Sequence, residues 1–203
     1  MAHAKKPVIY SGGGVINAGP EASHLLRELV EPTGFPITST LMGLGAYPAS
    51  GDNWLGMLGM HGTYEANMAM HDCDVMLCIG ARFDDRITGR LDAFSPNSRK
   101  IHIDIDPSSI NKNVRVDVPI IGDAGRILED LVRLWRATAK ADKAALKPWW
   151  TQIDIWRARD SLAYRPNEDV IMPQYAIQRV YELTRDRGGH IKTEVGRPRR
   201  WVA

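Results

Sequence analysis

The apolar positions of this chain fall into short continuous runs separated by amphipathic stretches. Pro7 to Ser11 (PVIYS), Phe35 to Ser39 (FPITS), residues 99–105 (RKIHIDI) and Val118 to Ile121 (VPII) read as strands. Asp74 to Ile79 (DVMLCI) reads as a strand buried on both faces. Between them Leu25, Leu26, Leu29 and Val30, and later Ile127, Leu128, Leu131, Val132 and Trp135, recur at helical spacing and mark two inward stripes. Pro20, whose fixed φ suits a first turn, starts the first of these helices, and Thr33 with Gly34 stops it. Thr63 can cap a helix from Tyr64 to Met70, and Asp123 the one after the last strand. Strands alternating with helices predict an α/β fold, a doubly wound Rossmann-like parallel sheet of five to six strands with helices on both faces.

That domain is expected over residues 1–138. Residues 139–168 read as a linker and a Trp-rich helix, in which Pro148, Trp149, Trp150, Ile153 and Trp156 need something to pack on. Residues 169–203 read as the start of a second α/β domain, with a helix from Pro173 to Thr184, striped by Ala176, Ile177, Val180 and Leu183, and a strand beginning within His190 to Thr193. A helix and one strand have no core of their own, so the chain is expected to be cut off inside that domain.

Glycines cluster where strands end. Gly12, Gly13 and Gly14 follow the first strand and precede a helix, so backbone N–H groups and the helix dipole converge where a pyrophosphate could lie. Asn17 takes the last position of G-x-G-x-x-G, and no acidic residue closes a second strand about twenty residues on. The signal for NAD is therefore weak, and a turn that merely connects is the alternative. Gly56, Gly59 and Gly62 punctuate the stretch from Leu55 to Arg86, around which the chain is organised. Past Gly80, Arg82, Asp84, Asp85 and Arg86 crowd at a strand's carboxyl end, where open α/β sheets bind ligands. The loop MGLGAYPASGDNWLG is long, as functional loops are. Asp104 and Asp106 share a side by period two, as acceptors for ribose hydroxyls or an adenine amino group, or as a helix cap and turn. His61, taken by itself, reads as a hydrogen-bonded loop histidine.

Composition narrows the field. At 203 residues the chain holds one or two domains. No run approaches the roughly 18 apolar residues of a membrane span and no signal peptide is visible, so a cytoplasmic or organelle-matrix protein is expected. The net charge of +2 is too small to imply nucleic acid. Arg185, Arg187, Lys192, Arg197, Arg199 and Arg200 make a basic end, but without alternating aromatics or a nucleic-acid motif. Cys73 and Cys78 are expected to point to opposite faces and stay unbridged, as small buried hydrophobes.

The segments GGGVINAGPEA, STLMGLGAYP, LGMLGMHGTYEAN, GARFDDRITG, IHIDIDPSSI and VIMPQYAIQ, in that order, resemble the catalytic large subunit of acetohydroxyacid synthase (acetolactate synthase), a family of thiamine-diphosphate enzymes. The resemblance runs from Pro7 to Gly196 and corresponds to the central domain of a three-domain subunit plus the start of its C-terminal thiamine-diphosphate-binding domain. It implies that residues 1–138 form a six-stranded FAD-binding domain. Gly12, Gly13 and Gly14 would approach the pyrophosphate and ribose. Thr40, Leu41, Met42, Leu58, Gly59, Met60 and His61 would line the flavin, while Gly80, Arg82 and Asp84 close over the dinucleotide. Asp104, Ile105, Gly122 and Asp123 would hold the adenosine half, and Asp85 and Arg86 would face a substrate channel.

The implied reaction decarboxylates pyruvate and joins the product to a second 2-oxo acid, pyruvate or 2-oxobutyrate, on the way to valine, leucine and isoleucine. The implied partners are further copies of the chain and a regulatory small subunit, with neither nucleic acid nor membrane. No catalytic or metal-binding residue is expected here, because the family's activating glutamate belongs to the N-terminal domain and its Mg2+ motif would follow Ala203. Glu194, Val195 and Gly196 match the family, but Arg197, Pro198, Arg199, Arg200 and Trp201 replace its diphosphate contacts, as a reading-frame change or a cloning end would. The isolated chain is thus expected to be inactive. The rivals are a non-catalytic FAD-binding, nucleotide-binding or interaction module, and a related thiamine-diphosphate carboligase or oxidase, against which GARFDDRITG speaks.

Overall fold

A computed structural model describes residues 1–138, 142–167 and 169–186, in two compact units, Met1–Arg159 and Asp160–Ala203. In the first unit the chain runs β1 (Pro7–Ser11), α1 (Gly13–Asn17), α2 (Pro20–Thr33), β2 (Ile37–Ser39), β3 (Trp54–Met57), α3 (Tyr64–Asp72) and β4 (Val75–Ile79). It continues through α4 (Asp85–Thr88), β5 (Arg99–Asp104), β6 (Val118–Ile121), α5 (Ala124–Thr138) and α6 (Lys147–Arg157).

All six strands are parallel, in the order β3-β2-β1-β4-β5-β6. The order reverses between β1 and β4, which makes their carboxyl ends the topological switch point of a doubly wound sheet. Ser11 stands opposite both Ser39 and Ile79, and Ile79 opposite Ile103, so the central strands end nearly level.

β1 is buried at every position because helices cover both faces. Ile9 faces one core with Leu77, Ile79 and Ile103, roofed by Leu26 and Leu29 of α2 and Leu128 and Val132 of α5. Val8 and Tyr10 face the other with Met76 and Cys78, roofed by Ala66 and Met70 of α3 and Trp149 and Ile153 of α6. Each fully buried Leu or Ile is worth roughly 1.5–3 kcal/mol, so the two cores dominate stability. The helix ends follow the local chemistry: Pro20 opens α2, Gly34 closes it at φ 67°, and the Thr63 hydroxyl caps α3 by accepting the Ala66 N–H.

Four local expectations change. Trp54–Met57 is an edge strand inside the long loop, paired to β2 through a register shift. Gly13–Asn17 is a short helix in place of a bare loop. The Trp-rich helix α6 belongs to the first unit, which ends at Arg159 and not at 138. Trp149 donates its indole N–H to the Pro7 carbonyl and Trp150 to the Gly34 carbonyl, both at 3.0 Å, which settles what these rings pack on. Finally, Cys73 and Cys78 are free but share one core, because Cys73 ends α3 outside β4 and strand alternation does not govern it.

In the second unit α7 (Pro173–Thr184) is the expected helix, tied at its polar side by the Tyr164 hydroxyl donating to Gln178 Oε1 at 2.7 Å. Val180 and Leu183 of its stripe are exposed. The expected strand at His190–Thr193, the family match at Glu194–Gly196 and the departure at Arg197–Ala203 lie outside the described residues. No described helix is long and apolar enough to cross a membrane.

Candidate functional site

A cleft of about 730 Å³ crosses the carboxyl ends of all six strands, within the size range of cofactor pockets. Its floor at the switch point is backbone. Gly14 donates its N–H to the Gly80 carbonyl at 2.9 Å and Gly80 donates to Ile103 at 2.8 Å. A Cβ on Gly12 would stand 2.2 Å from the Gly80 oxygen, and one on Gly14 2.6 Å from the Gly80 Cα. Gly12 and Gly14 are thus glycines because two loops cross there in contact. Gly13, Gly14 and Gly80 line the cleft, whereas Gly12 lies beneath it and contributes the crossing only.

The β2 and β3 side is apolar. The Thr40 hydroxyl accepts the Gly43 N–H at 3.0 Å, starting a single helical turn over Leu41–Gly43 that presents Met42, 74% exposed, to the cleft. Leu58, Met60 and His61 enter from the loop after β3. Gly59 does not line the cleft; at φ 105° it turns that loop against the Arg86 carbonyl.

The β5 and β6 side is acidic. Asp104, nearly buried, accepts the Asp106 N–H on Oδ1, and Ile105 beside it is exposed to the cleft. Asp106 is spent on the following turn, where it accepts the amide and hydroxyl of Ser108, and these bonds hold its carboxyl below the usual range. Asp123 lines the cleft with Gly122, but its Oδ1 accepts the N–H groups of Gly125 and Arg126 and so caps α5. Both carboxylates of the expected adenosine-side pair thus hold local backbone N–H groups on Oδ1, and Asp104 Oδ2 stands 3.8 Å from His102 Nε2.

Across the switch point the exposed Arg82 and the half-buried Asp84 form an ion pair at 3.2 Å on the rim. Arg86 lines the cleft with its guanidinium largely in solvent, 3.9 Å from the Asp85 carboxylate. Asp85 itself stays outside the lining and accepts the Arg86 N–H, opening α4.

Beneath the floor Tyr10, Cys78 and His102 stand side by side on β1, β4 and β5. Burial pushes the Tyr10 phenol and the Cys78 thiol up and the His102 imidazole down, so all three stay neutral. His102 donates its Nε2 hydrogen to the Ala81 carbonyl at 2.9 Å and so pins the loop that follows β4. Sequence reasoning missed this role, although the period-two spacing from His102 to Asp104 was there to find it. It also missed Ile16, Asn17, Ala18, Met57, Ala81, Ile87, Ile103 and Ala124, all cleft-lining and all adjacent in sequence to motif positions. No group of three or more His, Cys, Asp or Glu among the described residues could hold a metal ion.

Residues 1–131 match a family model described as the central domain of thiamine pyrophosphate enzymes. The chain is 45% identical over 216 residues to the acetolactate synthase isozyme 3 large subunit of Escherichia coli, with 100% of this chain and 37% of that protein covered. It is 44% identical over 200 residues to the acetolactate synthase large subunit of Haemophilus influenzae, with 98% and 34% covered. To the acetolactate synthase of Mycobacterium leprae it is 41% identical over 204 residues, with 100% and 32% covered. The chain thus spans about a third of the length of these curated relatives.

Proposed function

The chain belongs to the thiamine pyrophosphate enzymes, whose central domain it carries, and on that premise we propose that it serves in an acetolactate synthase large subunit. The activity is decarboxylation of pyruvate and condensation with a second 2-oxo acid to give 2-acetolactate or 2-aceto-2-hydroxybutyrate. It is cytoplasmic and exercised by a homo-oligomer with a regulatory small subunit. Thiamine diphosphate with Mg2+ supplies the electron sink for decarboxylation when bound.

The part of this chain is to seat FAD and guide the 2-oxo acid. The observation that carries this reading is the polarity of the cleft along the sheet. Six strands at roughly 4.8 Å spacing set a span of about 24 Å, long enough for a dinucleotide. Exposed Met42 and Met60 at one end suit a flat ring system, bare backbone at Gly13, Gly14 and Gly80 suits a pyrophosphate, and Asp104 suits hydroxyl donors. Arg86, whose one ion pair is the loose, solvent-exposed contact with Asp85 at 3.9 Å, suits the carboxylate of pyruvate or 2-oxobutyrate, a bond worth about 1.5–3 kcal/mol.

The test is calorimetric titration of the folded chain with FAD, ADP and FMN. FAD and ADP should bind, ADP better than FMN, because the flavin end is the more open. Gly13→Val should weaken both, since its side chain would enter the floor 3.1 Å from Met42 Cβ. A chain that is folded by circular dichroism and binds neither FAD nor ADP at millimolar concentration would refute the nucleotide reading, and FMN binding better than ADP would reverse the two ends. The chain alone should make no acetolactate, since among the described residues no glutamate lines the cleft and none of the clusters could hold a metal. Turnover dependent on thiamine diphosphate and Mg2+, in a preparation free of host enzyme, would contradict that.

A further inference from the structure

The loop from Leu58 to Gly62 carries Met60 and His61 to the cleft on a backbone with little secondary structure of its own. Gly59, at φ 105°, is its sharpest point. Both peptide groups of Gly59 are gripped by one side chain from the second turn of α3. Asn67 Oδ1 accepts the Gly59 N–H at 3.1 Å, and Asn67 Nδ2 donates to the Gly59 carbonyl at 3.0 Å and to the Thr63 carbonyl at 2.9 Å. The next residue, Met60, donates its N–H to the Arg86 carbonyl at 3.3 Å. A Cβ on Gly59 would stand 2.9 Å from that same oxygen, so loop and α4 turn are in contact.

From this chain of bonds we infer that Asn67 is a positioning residue: it fixes the loop bearing Met60 and His61 and, through Met60, the turn bearing Arg86. The inference rests on the dinucleotide reading of the cleft for its effect on ligands. Only a carboxamide meets the geometry, because one atom must accept from Gly59 while its partner donates to two carbonyls. An aspartate keeps the shape and loses both donors, setting a carboxylate against two carbonyl oxygens. α3 does not depend on this grip, since Thr63 caps it and its buried face is made by Ala66, Ala69 and Met70. Loss of the grip should therefore be local.

The experiment compares the full chain with Asn67→Asp by amide hydrogen exchange and by titration with FAD and ADP. Exchange at Gly59 and Met60 should quicken about tenfold or more, as local hydrogen bonds are removed. FAD affinity should fall about tenfold while ADP affinity holds, because the loop lies at the β3 end and ADP at the β5 and β6 end. The visible circular dichroism of bound flavin should weaken in parallel. A merely structural role would lower FAD and ADP affinity together, and that outcome overturns the inference. So does unchanged exchange at both amides. Should Asn67→Asp not fold, Asn67→Ala adds no charge and carries the same comparison. If the unaltered chain binds neither nucleotide, the dinucleotide reading has failed, and exchange at Gly59 and Met60 by itself decides whether Asn67 holds the loop.

Discussion

Two glycine clusters bound the cleft, and they are held in different ways. At the switch point Gly12, Gly14 and Gly80 let two backbones touch, with no side chain between them. Gly56 inside β3 and Gly59 just after it take positive φ, and the loop that follows is fastened by Thr63 and Asn67. Both clusters resist added volume, and the second depends besides on side-chain hydrogen bonds that the first does without. A row of glycines in a sequence marks both alike.

The largest expected effect is at the crossing. Gly12→Ala would put a methyl group 2.2 Å from the Gly80 oxygen and against Ala81, backbone that cannot swing aside. It should cost about 3 kcal/mol or more, read as a fall in the urea midpoint. An unchanged midpoint would mean that the loops do not cross in contact.

The second loop should answer to polarity at similar volume. The Thr63 hydroxyl caps α3 and donates to the Leu55 carbonyl, so Thr63→Val should cost about 1–2 kcal/mol by the same measurement. If Thr63→Val were as harmful as Gly12→Ala, the distinction between the clusters would be lost.

A smaller effect sharpens the account of the crossing. Burial lowers the His102 pKa in the folded chain, so the unfolded chain binds the proton more readily. The contribution of neutral His102 is complete above the unfolded value of about 6.5 and is lost as pH falls below it toward the folded value. Denaturation at pH 7.5 and pH 5 should show this loss, on the order of 1 kcal/mol, and His102→Gln should reduce it. An equal loss in the variant would assign the acid sensitivity to other groups.

The smallest effect on stability belongs to Arg86, which is 77% exposed in its side chain. Arg86→Ala should change the midpoint by less than about 0.5 kcal/mol. In a full-length subunit it should impair the substrate-dependent steps. Unchanged steady-state kinetics for both pyruvate and 2-oxobutyrate would remove it from the site.

What the sequence discloses depends on how far each feature is specified locally. β1 and β6 have the bounds their apolar runs imply, and α2 starts and stops at Pro20 and Gly34 as their backbone preferences require. β3 is hidden because Gly56 interrupts its pattern and only pairing with β2 makes it a strand. α1 is hidden because glycines are poor helix formers, and its bond from Gly14 to Gly80 comes from a loop 66 residues away in sequence. In the cleft, residues from five of the six quoted motifs converge along the strand ends. What stays illegible is the division of labour inside a motif: Asp104 faces the cleft while Asp106 closes a turn, and Gly13 lines the floor while Gly12 lies under it.

The bond from Trp149 to the Pro7 carbonyl has a consequence for synthesis on the ribosome. The first strand of this sheet in chain order is covered on one face by a helix made last in its unit, 142 residues later. At roughly 5–20 residues per second, that face of β1 waits on the order of ten seconds for its cover. During that interval Val8 and Tyr10 have only Ala66, Ala69 and Met70 of α3 to cover them, without Trp149 and Ile153 of α6. A chain released before residue 149 would leave the ribosome with that face still open.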